Sequence, residues 1–169
     1  LITQLNTEGL HKNKHIPLSY LRASEAQRRE LLAGLLDTDG SADKSRVSYT
    51  TVLPEMAEQI HELICSLGYT PTLSSRIAKL AGVEKKRAYR IRFHTNDRVF
   101  GYVRKGTINE NAPLRGDHHK FRSIEAITPG ESHPMMCIEV DSPDHTYLIG
   151  RSHIVTHNSL FGGKEIECM

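Results

Sequence analysis

The chain has 169 residues, 38 % of them hydrophobic and 25 % charged, which is length and apolar content enough for one ordinary domain or for one and a half small ones. A formal net charge of +2 conceals an uneven distribution: Lys and Arg number 7 against 9 acids over residues 1–75, 13 against 4 over 76–122, and 2 against 7 over 123–169. No apolar run approaches the roughly 20 residues of a membrane span, and Leu1 to Leu10 lacks the basic and apolar regions of a signal peptide, so a soluble, cytoplasmic chain with no membrane partner is expected.

In chain order, the first strong element is SEAQRRELLAGLL. Ser24 with Gln27 three residues on is a capping-box pair, and Glu25 and Glu30 set negative charge toward the favoured N-terminal half, predicting a helix from about Glu25 to Leu36. SRVSYTT then reads as a strand. Pro54 suits the first turn of a second helix, in which Met56, Ile60, Leu63, Ile64 and Leu67 recur at helical spacing and Gly68 supplies the stop. TPTLSSRIA and RAYRIRFHT predict two paired strands joined by a polar loop around Gly82 to Lys86, and Asn96 is expected to cap a shorter helix through Val103. Room remains in this order for one further strand. From Arg122 the character changes: SIEAIT, MCIEV, TYLIG and HIVTH are short β-rich runs divided by Pro129, Gly130, Pro134, Pro143 and Gly150. Strands so short hardly make an independent core, so their partners are expected from elsewhere. The first residue is Leu1 rather than Met, which sets the expectation that an upstream portion precedes this chain. Cys65, Cys137 and Cys168 are an odd number without a close pair and read as thiols in a reducing compartment, not as a disulfide framework.

The middle third, at 13 basic against 4 acidic residues, reads either as a solvated basic face or as a nucleic-acid surface. AYRIRFHT favours the second. Arg90, Arg92 and His94 alternate with Tyr89, Ile91 and Phe93, so one side of a strand is cationic and the other apolar, and a sheet with that outer face can follow a phosphate backbone. Arg76, Lys85, Lys86, Arg87, Arg90 and Arg92 are the candidate DNA contacts.

LLAGLLDTDG poses a different problem. Asp37 and Asp39 close a predicted helix, where negative charge opposes the macrodipole by about 0.3–1 kcal/mol. One reading is an Asp/Gly turn after a buried helix. The other is a divalent cation: Mg²⁺ takes carboxylate oxygens and serves phosphodiester hydrolysis. Ala33 and Gly34 lack bulk and leave room for a second helix to approach.

LAGLLDTDG resembles the LAGLIDADG motif of dodecapeptide homing endonucleases, and KHIPLSYLRASEAQRRELLAGLLDTDG is similar to the stretch that introduces the second copy of that motif in intein-borne members. The resemblance implies an α+β fold, helices over an antiparallel sheet saddle, with two motif helices packed at a pseudo-twofold axis. It implies that Asp39 binds metal beside the scissile phosphate with Asp37 in support, and that Arg90 and Arg92 face double-stranded DNA. This chain carries one motif, so the partner motif is expected in the upstream portion.

The segment THNS carries the other chemistry. The Asn158 side-chain amide can attack its own carbonyl carbon, closing a succinimide and breaking the bond to Ser159, and a nearby imidazole assists by protonating the leaving group. His157 is adjacent and His145 lies twelve residues upstream. Ser159 offers a hydroxyl to receive an acyl group, and Cys137 is a better nucleophile still. The bland readings are a small buried hydrophobe at Cys137 and ordinary strand histidines. A zinc site drawing on His118, His119, His133 and His153 matches no paired-ligand spacing.

Together, MMCIEVDSPDHTYLIGRSHIVTHNS resembles the C-terminal splicing blocks of inteins, an all-β Hint module. The resemblance makes His157 and Asn158 the terminal pair, Ser159 the first residue of the C-terminal flank and His145 the histidine of the upstream block. Cys137, with Thr156 before His157, is similar to the class in which an internal cysteine replaces the N-terminal nucleophile, a class that also carries a tryptophan absent from this chain. The expected division is therefore 1–122 endonuclease half, 123–158 Hint segment and 159–169 host flank (C-extein). The resemblance implies Mg²⁺ for the endonuclease and no cofactor for splicing. Expected partners are DNA, the upstream intein portion bearing the first motif, and the host exteins. SLFGGKEIECM holds GGK without a complete P-loop and does not identify the host; the intein resemblance alone implies a nucleic-acid enzyme such as a replicative helicase. The competing reading is a non-catalytic DNA-binding protein on a degenerate LAGLIDADG fold.

Overall fold

The computed structural model describes residues 13–80, 83–110, 124–131 and 140–157, with residues 9, 134 and 138 besides. The chain divides into two compact units, Leu1–Arg122 and Ser123–Met169.

The first unit runs α1 (Leu18–Leu21), α2 (Glu25–Asp39), β1 (Gly40–Asp43), β2 (Arg46–Thr51), α3 (Pro54–Ser66), β3 (Thr72–Leu80), β4 (Val83–His94) and α4 (Val103–Glu110). Its sheet has the order β1-β2-β4-β3, antiparallel throughout. The expected capping box starts α2: the Gln27 N–H donates to Ser24 Oγ at 3.4 Å and the Ser24 N–H to Gln27 Oε1 at 3.2 Å. The helix runs three residues past Leu36, so both carboxylates lie in its last turn. Pro54 opens α3, and Gly68, at φ +86°, closes it in the left-handed conformation that favours glycine.

Period-two alternation decides which side of the sheet is covered. Val47 and Tyr49 on β2 and Ile91 and Phe93 on β4 are buried against Leu32 and Leu36 of α2 and Ile60, Leu63 and Ile64 of α3. Each such side chain withdrawn from water contributes about 1.5–3 kcal/mol. Arg28 ties the two helices together: its Nη1 donates to the Ser66 carbonyl at 2.8 Å and its Nε to Ala23 O at 3.0 Å. Buried Glu62 on α3 pairs with Arg22 at 2.7 Å.

One expectation is filled and two change. The expected further strand is β1, a short polar segment recruited by pairing Gly40 with Tyr49 through Asp43 with Arg46. The loop expected around Gly82 to Lys86 is mostly strand, since β4 begins at Val83, with a register shift where Ile77/Arg87 gives way to Lys79/Glu84. The helix expected from Asn96 to Val103 is absent, and α4 begins where it was to end. Tertiary bonds hold the intervening segment: the Thr95 N–H donates to Ser45 O at 2.9 Å, Tyr69 Oη donates to Asp97 at 2.7 Å, and Val99 and Phe100 enter the core.

In the second unit β5 (Thr146–Ile149) and β6 (Ile154–His157) form an antiparallel ribbon, pairing Thr146 with His157 through Ile149 with Ile154. Of the four β-rich runs, TYLIG and HIVTH supply these strands. SIEAIT is not a strand where it is described, nor are Ile138 and Val140 of MCIEV; the rest of MCIEV lies outside the described residues.

Candidate functional site

The end of α2 passes into β1 with no intervening loop. Gly40 makes that possible: a Cβ there would lie 2.5 Å from the Leu36 carbonyl oxygen, closer than any side chain tolerates. Asp37 and Asp39, two residues apart on this last turn, therefore meet different surroundings. The half-buried Asp37 accepts the Tyr102 N–H at 3.1 Å through Oδ1, while its Oδ2 sits where a Cβ on Gly101 would come within 2.5 Å. Asp39 is exposed, and Tyr49 Oη donates to its Oδ2 at a long 3.4 Å. Burial first, and then the adjacent Asp39 charge, push the Tyr49 phenol up to about 12, so it stays a protonated donor at neutral pH.

The helix end lacks any basic residue in its own last turn. Lys105 of α4 supplies one from far along the chain, its Nζ donating to the carbonyls of Leu36 at 3.0 Å, Asp37 at 2.7 Å and Gly40 at 2.8 Å. This ammonium satisfies orphan carbonyls, offsets the negative helix end and stands 5.9 Å from the Phe100 ring centroid. Sequence reasoning missed Lys105. No local spacing marks a cap that arrives more than 60 residues later.

A hard cation that keeps several waters can use a single exposed carboxylate, and Asp39 fits that role. Asp37 is engaged with the 101–102 backbone and positions the turn. Among the described residues no group of three or more His, Cys, Asp and Glu side chains is arranged to hold a metal ion.

The uncovered side of the sheet is cationic. Register places Arg92 between Ser48 and Thr72, and Arg90 between Thr50 and Ser74, with Arg76 opposite Ala88 on the next row. Thr50, Ser74, Ser75, Arg76, Ala88, Arg90 and Arg92 line a shallow concavity of about 230 Å³. Arg87 departs from this group. It pairs with Ile77, alternates to the other side and donates to Ser75 Oγ at 3.1 Å. Lys86 is exposed, and the Lys85 side chain lies outside what is described.

In the second unit, the ribbon brings His145 and His157 together, ring centroids 6.2 Å apart and edge-on at 77°. His145 directly precedes β5 with φ +54°, uncommon for a non-glycine residue. A turn holds it: the His145 N–H donates to Ser142 O at 2.9 Å, and Asp144 accepts from the Ser142 hydroxyl and from the Thr146 N–H and hydroxyl. The Ser142 hydroxyl above all, then Thr146, lowers the Asp144 carboxyl to about 2. Thr156 faces Tyr147 in the ladder. Cys137, Asn158 and Ser159 lie outside the described residues, as do His118, His119 and His133.

A capped helix ending in two aspartates, running straight into a β-sheet with a basic open face, defines the class. Residues 26–99 match the family of LAGLIDADG-like domains, and this stretch of the chain is such a domain. Over 164 residues, 96 % of its length, the chain is 39 % identical to the replicative DNA helicase DnaB of Mycobacterium intracellulare, of which it spans 28 %. It is also 37 % identical over 82 residues, 44 % of its length, to 7 % of the ATP-dependent DNA helicase Hel308 of Thermococcus kodakarensis. The chain thus spans about a quarter of the first of these relatives.

Proposed function

We propose that this chain is the C-terminal part of an intein, joining half of a LAGLIDADG homing endonuclease to the closing segment of a Hint splicing module, with residues 159–169 as host flank. The observation that carries the splicing reading is the His145–His157 pair at 6.2 Å, in which His145 is held by the hydrogen-bonded turn over residues 142–146 and His157 directly precedes Asn158 in the sequence. Helicases support the host assignment: a replicative helicase is a common intein host, and a match spanning nearly all of this chain but 28 % of the helicase fits an inserted element.

In the proposed sequence, the Cys137 thiolate attacks the carbonyl at the upstream junction, forming a thioester as the junction nitrogen leaves with a proton. The Ser159 hydroxyl then takes the acyl group as an ester and Cys137 regains its thiol. The Asn158 side-chain nitrogen attacks its own carbonyl carbon; the Asn158–Ser159 bond breaks, and an imidazole of the His145–His157 pair delivers the proton that the departing Ser159 amine needs. That amine finally displaces the ester oxygen and restores a peptide bond. Thr156, paired in the ladder, sets the register of His157. In the endonuclease half, Asp39 would hold Mg²⁺, which supplies Lewis-acid stabilisation of the scissile phosphate. A second motif helix from the upstream portion docks at Gly34, which is exposed with open space around it.

Mass spectrometry of the chain mixed with its upstream complement tests this. Scission after Asn158 with a succinimide terminus is expected, Asn158→Ala abolishes it, and Cys137→Ala abolishes the branched intermediate. Intact junctions in the unaltered mixture would falsify the splicing reading. A second reading, a DNA-binding domain without catalysis, draws on the basic open face, which needs no metal; DNA nicking that Mg²⁺ supports and Asp39→Asn removes argues against it.

A further inference from the structure

In an unbroken strand neighbouring side chains project to opposite sides, and residues directly opposed across an antiparallel ladder share a side. Thr146 opposes His157. An extended His145, one residue earlier, would therefore turn its ring away from His157. The two rings stand instead 6.2 Å apart and edge-on, and the departure lies in the backbone, since His145 has φ +54°. The pairing brings the two residues near, and this left-handed turn settles which side the ring takes. A non-glycine residue keeps such a conformation only where its surroundings over-determine it.

Asp144 meets that condition. Its Oδ1 accepts the Ser142 hydroxyl and, at 3.2 Å, the Thr146 N–H, while its Oδ2 accepts the Thr146 hydroxyl at 2.8 Å. One carboxylate thus bonds residues on both flanks of His145, and one of its anchors is the residue that opens β5 opposite His157. The His145 N–H, donated to Ser142 O at 2.9 Å, closes the same turn. With its carboxyl lowered to about 2, by the Ser142 hydroxyl above all, Asp144 remains a full acceptor wherever histidine titrates. It is also exposed, so no core packing depends on it. We infer that Asp144 is a positioning residue for the cyclisation of Asn158: by clasping Ser142 and Thr146 it fixes the left-handed backbone of His145 and so turns that imidazole toward His157, the residue before Asn158. The inference rests on the proposed splicing reaction and adds to it a carboxylate that takes no proton and makes no covalent bond.

The full chain mixed with its upstream complement tests it, with mass spectrometry following the rate at which the branched intermediate forms and the rate of succinimide-forming scission after Asn158. Asp144→Ala should leave the first within about twofold and slow the second about 10- to 100-fold, so that the branched species accumulates. Asp144→Asn, which keeps an acceptor oxygen at the turn, should restore scission to within about fivefold of the unaltered rate. Thr146→Val, which removes the hydroxyl bond and keeps the N–H, should fall between the unaltered chain and Asp144→Ala. Added to His145→Ala, the Asp144→Ala change should cause no further slowing, because the carboxylate acts through that ring. An Asp144→Ala chain that cyclises at the unaltered rate overturns the inference. So does equal slowing of both rates in Asp144→Ala and Asp144→Asn, which assigns the carboxylate to the fold of the module as a whole, and so does a double variant slower than His145→Ala alone. An unaltered mixture that yields neither branched intermediate nor scission overturns the splicing reading itself.

Discussion

The two units of this chain are made in opposite ways. Between Ile16 and Phe100 the first unit closes a core in which Leu36, Val47, Ile60, Leu63, Ile64 and Ile91 are wholly inaccessible. In the second, the ribbon of β5 and β6 leaves Leu148, Ile149, Ile154 and Val155 exposed, and none of its described apolar residues is buried. A sheet side covered by helices stabilises itself; an isolated two-stranded ribbon is marginal in water. The contrast teaches that the sheet unit buries a core of its own, whereas on the proposed reading the ribbon, with its two histidines in place, takes its packing partners from the rest of the Hint module.

Four measurements sharpen or break that contrast. Phe93→Ala, at the centre of the first unit, should cost about 3–5 kcal/mol in chemical denaturation. Lys105→Met should cost about 1.5–3 kcal/mol, because three carbonyls at the end of α2 lose a charged donor. Alkaline unfolding gives a smaller effect with a definite sign. The Tyr49 phenol ionises near 10 in the unfolded chain and at about 12 in the fold, so its contribution is complete below pH 10 and is lost as pH rises toward 12. Tyr49→Phe should flatten that loss, though not remove it, since burial also raises the Tyr69 phenol. Val155→Ala, on the ribbon, should change stability by less than about 0.5 kcal/mol. A cost for Val155→Ala comparable with that of Phe93→Ala would mean that the ribbon is already part of a core, and the comparison would fail.

Much of the first unit is legible in the sequence because its signals are local. Ser24 and Gln27, Pro54, Gly68 and the alternation in AYRIRFHT each specify structure within a few residues. The alternation even contains the exclusion of Arg87: counting by twos from Arg92 leads to Arg90 and Ala88, so Arg87 falls on the other side. What local reading misses is tertiary. GSAD becomes a strand because β2 offers it a partner, and Asn96 fails to start a helix because Thr95, Val99 and Phe100 are committed elsewhere. At the candidate site the motif marks Asp37 and Asp39 alike, and only the approach of Gly101 and Tyr102 separates a positioning carboxylate from an exposed one. In the second unit, DHTY and THN identify the histidines, while their approach follows from the pairing of Thr146 with His157.

The Gly40 joint has one more consequence. With no residue of slack between the last turn of α2 and the first ladder pair of β1, the Asp39 carboxylate and the basic side of the sheet belong to one rigid body. On the proposed reading, the distance along a duplex from the recognised bases to the severed bond is then a fixed gauge built into the backbone. Inserting even one residue at this joint would uncouple where the duplex is gripped from where it is cut.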